Sequence, residues 1–545
     1  MDSVAEQEAV ARFDRLRAMS VPGILAEVAA ADEDAPAIVD GDRRVTYGEL
    51  WGQAQSLAAG LQAAGVATGD RVGVCVPNWH EFVVAYFGIG AAGAVIVPIN
   101  TRYSAREVAH YLSDSGAKVL ITAERFAGVD LLGMYRGLRP SLPRLETILV
   151  VRSAGPLEIG ERAFEDLVSL SGPFALPELD PEEDLFAILY TSGTTGVPKG
   201  AMLRHSNIVR TSIATAELMR MTSDDVFLVA VPLSHIFGMG PSILTAVSSG
   251  ASMVFMEIYK PDPALELVER ERVTVHHGVP TMFVMELNSP ELERRDLSSL
   301  RTGIIAAAPC PIEVVKAIRA KMGCEICVSF GMTETSPSLT STRFEDTDED
   351  RAETVGQALP EVELRIVGTE GNDLGPGEVG EIVARSPGVM KGYFGRPEET
   401  SQVLTADGWF STGDLGQMDD RGFLRIVGRT KEMIIRGGYN VYPREVEEVI
   451  YQYPGVMEAA VVGVADDVMG ERTCACIRRK PEAEVSEEDI RAFCAESLAK
   501  YKVPDFVQFF EEFPTTASGK ILKRELAKLV RPAGSEPGGR DVKRA

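Results

Sequence analysis

Positive charge is in deficit in this chain: 55 Lys and Arg stand against 80 Asp and Glu, a formal net charge of −25 over 545 residues. Nonspecific affinity for nucleic acid or anionic lipid needs the opposite balance, so neither is expected as a partner, and any phosphate-bearing ligand must be held by local features. A secretory leader is not expected either. The opening residues, MDSVAEQEAVARFDRLRAM, mix acid and base without an apolar core, which fails as a signal peptide and reads as an amphipathic helix; a cytoplasmic location is the default. Cysteine is sparse, seven in all, an odd count without a secretory setting, so reduced thiols are expected. Cys324 and Cys327 form a C-x-x-C, but they sit in the strand-like run CEICVSF with no second pair nearby to complete a zinc site. No internal repeat is evident. No membrane span survives inspection either. Residues 82–99, FVVAYFGIGAAGAVIVPI, carry no charge, yet Gly88, Gly90, Gly93 and Pro98 interrupt them, and the spacing changes at Gly93 from helix-like to the β-branched run Val95-Ile96-Val97. A buried helix feeding a buried strand is the expected structure.

What is present is a globular composition, 45% hydrophobic and 25% charged, in a chain too long for one core. Short β-branched runs alternate with helix-like stretches: RVGVCV at 71–76, AVIVP at 94–98, KVLIT at 118–122 and TILVV at 147–151. Strands buried on both faces between helices imply an α/β architecture with largely parallel sheets. After about Val362 the texture changes to ELRIVG, GEIVARS and FLRIVG separated by Gly-rich turns, which reads as a small antiparallel sheet or barrel over about 362–428. From Arg429 a strand MIIRGG, a helix near Pro443, a strand AAVVGV and a helix from Ser486 suggest a compact α+β domain. The predicted division is therefore 1–428, 429–530 and a Pro/Gly-rich, charged tail at 531–545 expected to be disordered.

Residues 190–200, YTSGTTGVPKG, follow the strand-like LFAILY. Glycine lets backbone N–H groups turn inward around an anion, hydroxyls add donors and lysine adds charge, which is chemistry for a polyphosphate. A Walker A loop is excluded, because Pro198 precedes Lys199 and Gly200 follows it. A flexible loop without function is the remaining alternative for the segment taken alone.

Further segments make the pattern specific: PLSHIFG at 232–238, AAAPCP at 306–311, FGMTET at 330–335, STGD at 411–414, GRTKEMIIRGGYNVYPREVE at 428–447 and PTTASGK at 514–520. Together with YTSGTTGVPKG, and in this order over nearly the whole chain, they resemble the motifs of the adenylate-forming superfamily. That superfamily includes acyl-CoA synthetases, 4-coumarate–CoA ligases, luciferase and peptide-synthetase adenylation domains; the acyl- or aryl-acid–CoA ligases are the nearest group. The resemblance implies a large N-terminal AMP-binding domain of α/β sheets with a small β-barrel-like subdomain, followed by a small mobile α+β C-terminal domain.

It also implies roles. Thr191, Ser192, Gly193, Thr194, Thr195, Gly196 and Lys199 would hold the phosphates of ATP. Ala307, Ala308 and Pro309 would line the adenine site, with Phe330 stacked on the ring in place of the family's commoner tyrosine, which keeps stacking and loses a hydroxyl. Gly331 and Met332 continue that segment, Thr333 would contact the α-phosphate and Glu334 would hold Mg2+, which takes hard oxygen ligands and few of them from protein. Asp414, helped by Arg429, matches the acceptor of the ribose hydroxyls. Lys520 matches the lysine that reaches the attacking carboxylate and phosphate, Lys431 the hinge, and Gly437 and Gly438 the strand beside which the arm of coenzyme A passes. His235, Phe237, Gly238, His277, Gly278 and Ile305 correspond to the acyl pocket, His235 as a positioning group. No general base is required, since a carboxylic acid is already an anion at neutral pH.

The reaction implied is carboxylate plus ATP to acyl-adenylate and pyrophosphate, then attack by the CoA thiol to give acyl-CoA and AMP. The partners expected are a small carboxylic acid, ATP, Mg2+ and CoA; a homodimer is left open. The 25 residues after Lys520 leave no room for a carrier domain, which favours CoA as acceptor, although a stand-alone adenylating or luciferase-like member stays open. A nucleotide-binding regulator is the non-enzyme alternative, and the joint presence of Lys199, Glu334, Asp414 and Lys520 argues against it. The pocket segments are mostly apolar, so a fatty or aryl acid is expected rather than a dicarboxylate, whose second charge would need a buried partner such as His277.

Overall fold

The computed structural model describes residues 11–169, 174, 176–191, 198–308, 310–466, 468–481, 483–515 and 521–530. Of the residues singled out above, Ser192, Gly193, Thr194, Thr195, Gly196, Pro309, Lys520 and the 531–545 tail lie outside these.

All four β-branched runs of the first half are strands: Arg71–Cys75, Val95–Pro98, Val119–Ala123 and Thr147–Val151. They pair in parallel within an eight-stranded sheet that also holds Leu185–Thr191, while Lys199–Arg204 and Gly392–Tyr393 extend one edge antiparallel. A second sheet of nine strands has a parallel centre, Glu325–Gly331, Thr302–Ile305, Val275–His276, Val226–Val229, Ser252–Phe255 and Pro36–Asp40, flanked by antiparallel strands. The glycine-interrupted run at 82–99 forms the helix His80–Ala91 and then the strand Val95–Pro98. Every residue of that helix is buried, so its all-round hydrophobicity belongs to a core element. Its Tyr86 ring meets Phe186 of the eight-stranded sheet edge-on, and its hydroxyl donates to Met239 O on the other side. Among the described residues no helix is long and apolar enough to cross a membrane.

Residues 362–428 build the four-stranded antiparallel sheet Glu363–Val367, Gly380–Arg385, Phe410–Met418 and Leu424–Arg429. Its inward side chains Ile366, Ile382, Phe410 and Leu424 belong to the same buried core as both larger sheets. Beyond Leu424 the core breaks: Ile434, Val441, Val446, Ile450 and Val461 pack in a separate cluster. There Ile434–Arg436, Tyr439–Val441, Val456–Asp466, Gly470–Arg479 and Phe506–Phe509 form one sheet covered by the helices Pro443–Tyr451 and Glu487–Ser497. Ser486 starts the second helix as a capping box with Asp489. That helix closes at Ser497, with Leu498 extended.

Candidate active site

The predicted phosphate loop is bounded by a β-hairpin. Thr191 at the end of Leu185–Thr191 is the register partner of Lys199, and Tyr190 that of Gly200. A Walker A loop joins a strand to a helix, so topology and sequence exclude it independently. The helix Ala105–Ser115 backs the hairpin: the Tyr190 ring stacks on Tyr111 at 4.4 Å, its hydroxyl donates to Asp114 Oδ2 at 2.8 Å, and His110 Nε2 lies 3.0 Å from Pro198 O.

Glu334 comes to this hairpin from a different sheet. The strand Glu325–Gly331 ends at Phe330 and Gly331, and a short 3-10 turn, Thr333–Thr335, follows. Gly331 packs so closely that a Cβ there would stand 1.6 Å from Pro337 O. Thr335 locks the turn by accepting the Met332 N–H and donating to Pro337 O, both at 3.1 Å. Glu334, 9% exposed, then accepts from the Thr191 hydroxyl at 3.2 Å and the Tyr393 hydroxyl at 3.0 Å on the same oxygen. Its own carbonyl receives the Met390 N–H at 2.8 Å. Lys199 Nζ stands 5.2 Å from the centroid of the Tyr393 ring. The result is a carboxylate, two hydroxyls and an ammonium gathered from three separate chain segments.

Tyr393 and the segment around it were not singled out from sequence. KGYFGR carries no obvious catalytic side chain, and its role arises because Gly392–Tyr393 adds to the free edge of Lys199–Arg204. Burial pushes the Tyr393 hydroxyl pKa up and the neighbouring Glu334 adds to the rise, so the group is a neutral donor to the carboxylate.

The predicted residues near 235, 277 and 307 lie at the carboxyl ends of the parallel strands of the nine-stranded sheet, where open α/β sheets place ligands. Ala307 and Ala308 follow Thr302–Ile305, Ala307 in the left-handed region at φ 70°. His277 and Gly278 follow Val275–His276, and Gly278 bridges to Ile305. His235 and Phe237 lead into a π-helical segment, Gly238–Leu244, a form that recurs at functional sites. His235 Nδ1 accepts the Phe237 N–H at 3.2 Å, which suits a positioning role.

The structure corrects the idea of His277 as partner for a second substrate charge. Its Nδ1 accepts the Ile304 N–H at 3.0 Å and its Nε2 lies 3.2 Å from Pro241 O, so backbone groups engage both nitrogens. Burial pushes its pKa down to about 3, which makes it neutral at physiological pH. Phe237 stacks on it at 5.8 Å.

Asp414 and Arg429 are register partners on Phe410–Met418 and Leu424–Arg429. Lys431 is exposed in the turn just beyond, where the Glu432 and Met433 N–H groups donate to Arg429 O. Gly437 and Gly438 form the two-residue tip of the hairpin joining Ile434–Arg436 to Tyr439–Val441. Their φ values of 57° and 84° are the reason both are glycine. They therefore make a turn rather than the strand interior expected from sequence. Elsewhere among the described residues Asp40, His80 and Glu81 gather metal-type donors, but Arg152 lies 2.6 Å from Asp40 and 2.8 Å from Glu81, so an internal cation already balances them.

The family described as AMP-binding enzyme matches residues 25–394, and the AMP-binding enzyme C-terminal domain matches 445–520. The chain is 39% identical over 527 residues to the acyl-CoA synthetase homologue YngI of Bacillus subtilis, covering 92% of this chain and 95% of that protein. It is 36% identical to the mitochondrial medium-chain acyl-CoA ligase ACSF2 of Mus musculus, over 92% of this chain and 85% of the mouse protein. The crystal structure of the anthranilate CoA ligase AuaEII in complex with anthranoyl-AMP superimposes with a TM-score of 0.86 at 29% identity, covering 94% and 97% of the two chains.

Proposed function

We propose, from the premise that this chain belongs to the AMP-binding, adenylate-forming enzyme family and is an AMP-forming acid–CoA ligase, that its acid is apolar and that the residues gathered above divide the work as follows. The observation that carries this reading is the meeting of Thr191 and Glu334, 143 positions apart, at 3.2 Å beside Lys199. Lys199 and the hydroxyl-rich loop neutralise the phosphates. Thr333 stands at the α-phosphate, Phe330 and the 307–309 segment line the adenine site, and Asp414 with Arg429 takes the ribose. The acid's carboxylate oxygen attacks the α-phosphorus while the bond to pyrophosphate breaks; Lys520 offsets the charge of two anions brought together. CoA sulfur then attacks the acyl carbonyl, its proton is lost, and AMP leaves.

The donor set fits Mg2+. Glu334 and Thr191 offer only hard oxygens, and a single carboxylate suffices when phosphates supply the other ligands. When bound, the ion would neutralise charge on the phosphate oxygens; Glu334 would hold it, kept in place by Tyr393.

Support for an apolar acid comes from the pocket itself. Phe237 and Ile305 are buried and His277 is neutral with both nitrogens engaged, so a second carboxylate would enter without a partner. Relatives named for medium-chain acyl groups and for anthranilate agree with this. The division at about residue 429 between a larger body and a smaller domain turning at Lys431 is part of the same reading, supported by the break in the core between Leu424 and Ile434. A cytoplasmic setting is supported by seven buried, unpaired cysteines. The test is a panel of medium-chain, aryl and dicarboxylic acids with ATP, Mg2+ and CoA. AMP and thioester from the apolar acids are expected; ADP as product, or turnover confined to dicarboxylates, overturns the proposal.

A further inference from the structure

Lys523 lies three positions after Lys520, outside every motif assigned above, yet its ammonium joins three elements. Nζ stands 2.7 Å from Glu447 Oε1 and 3.4 Å from Glu432 Oε2. Glu447 belongs to the helix Pro443–Tyr451, is 5% exposed, and also accepts the Val461 N–H at 2.6 Å from the strand Val456–Asp466. Glu432 is the residue immediately after Lys431. Lys523 opens the helix Lys523–Leu529, directly after the base of the loop that carries Lys520. That base is closed by the antiparallel bridge Thr515 to Ile521 and by Leu522 N–H donating to Pro514 O at 2.8 Å. Burial opposes the charge on Lys523, but the two carboxylates outweigh it and hold its pKa above the ordinary lysine value.

We propose that Lys523 is a positioning residue for the adenylation step: through Glu432 and Glu447 it fastens the first residue beyond the pivot, and the base of the Lys520 loop, to one rigid body. The inference rests on the reading of Lys431 as hinge and Lys520 as adenylation lysine. A domain that turns about Lys431 delivers Lys520 to a fixed place only if neither end of the lever has slack. The hairpin with Gly437 and Gly438 depends on this clamp far less. It is secured by its own bonds, Gly437 N–H to Met469 O at 2.7 Å and Ile435 N–H to Glu471 Oε2 at 2.8 Å. Loosening the clamp should therefore harm the first half-reaction and spare the second.

The experiment compares Glu432→Gln, Lys523→Met, Lys523→Arg and Lys520→Ala in two assays, ATP–pyrophosphate exchange and transfer of a supplied acyl-adenylate to CoA. Glu432→Gln and Lys523→Met are expected to lower kcat for exchange about tenfold, the scale of a small misplacement, with KM for ATP and the transfer rate unchanged. Lys523→Arg should restore exchange, and the double variant Glu432→Gln with Lys523→Met should be no slower than the worse single one. Lys523→Met leaves Glu447 buried without its cation; if that variant does not fold, Glu432→Gln decides, since it keeps the Lys523–Glu447 pair. Exchange unchanged in Glu432→Gln, or both half-reactions falling together with Tm, overturns the clamp. Lys520→Ala slowing both half-reactions equally overturns the underlying assignment instead, whatever Glu432→Gln does.

Discussion

Arg429 Nε lies 2.7 Å from Asp414 Oδ1, a cross-strand ion pair in which the Asp414 side chain is 6% exposed and the Arg429 side chain 45%. The pair holds one carboxylate oxygen of Asp414 in place. Asp414→Asn is expected to raise KM for ATP about 10- to 100-fold, the cost of hydrogen bonds to a charged group. Arg429 can return to solvent, so the fold should survive. An unchanged KM in pyrophosphate exchange would remove Asp414 from the nucleotide site.

Tyr393 should matter to the Mg2+ that Glu334 is proposed to hold. Tyr393→Phe keeps the ring beneath Lys199 and deletes only the hydroxyl that donates to Glu334. Loss of such a supporting partner costs about 10- to 100-fold in metal affinity, so the Mg2+ concentration for half-maximal exchange should rise by that factor. Glu334→Gln should raise it further. Equal Mg2+ dependence in wild type and both variants would detach this cluster from the ion.

The two half-reactions should separate. Lys520→Ala should slow acyl-adenylate formation about 10²- to 10³-fold while leaving thioester formation from supplied adenylate intact. Gly438→Val should do the reverse, raising KM for CoA, because a branched side chain at φ 84° is strained and stands where the turn is open. Parallel losses in both assays for Gly438→Val would mean a folding defect and would remove the turn from the thiol path.

Acid should destabilise the protein through two buried imidazoles. Burial depresses the pKa of both His205 and His277 to about 3. Their unfolded values lie near 6.5, so between about pH 6.5 and 3 the unfolded chain binds more protons, and stability is lost as pH falls. Each imidazole should contribute a slope of about 1.4 kcal/mol per pH unit within that window and nothing above it. Denaturation midpoints measured from pH 7.5 to 5 check the trend, and imidazole resonances of either residue that titrate near pH 6.5 in the folded protein would refute it.

Much of this arrangement was legible in sequence because burial on both faces writes continuous β-branched runs, as at Val95-Ile96-Val97, whereas Gly437 and Gly438, read as part of a strand, turned out to form a hairpin tip. The acyl pocket was legible in outline only. His277 looked able to meet a charge, and nothing local in HGVPTMF indicates that Ile304 and Pro241 consume its nitrogens. The π-helical turn at Gly238–Leu244 was hidden for the same reason: it depends on what packs against it.

The order and identity of the motifs, the α/β alternation and the exclusion of a Walker A loop at residues 190–200 were determined by the sequence alone, since periodicity and residue type are local properties. Only the tertiary structure decided which groups meet. Thr191 and Glu334 come from different sheets, Tyr393 reaches them by adding a short strand to an open edge, and Lys523 ties residue 432 to residue 447. Hydrogen bonds and ion pairs act over about 3 Å, a distance set by how sheets and helices pack and not by spacing along the chain.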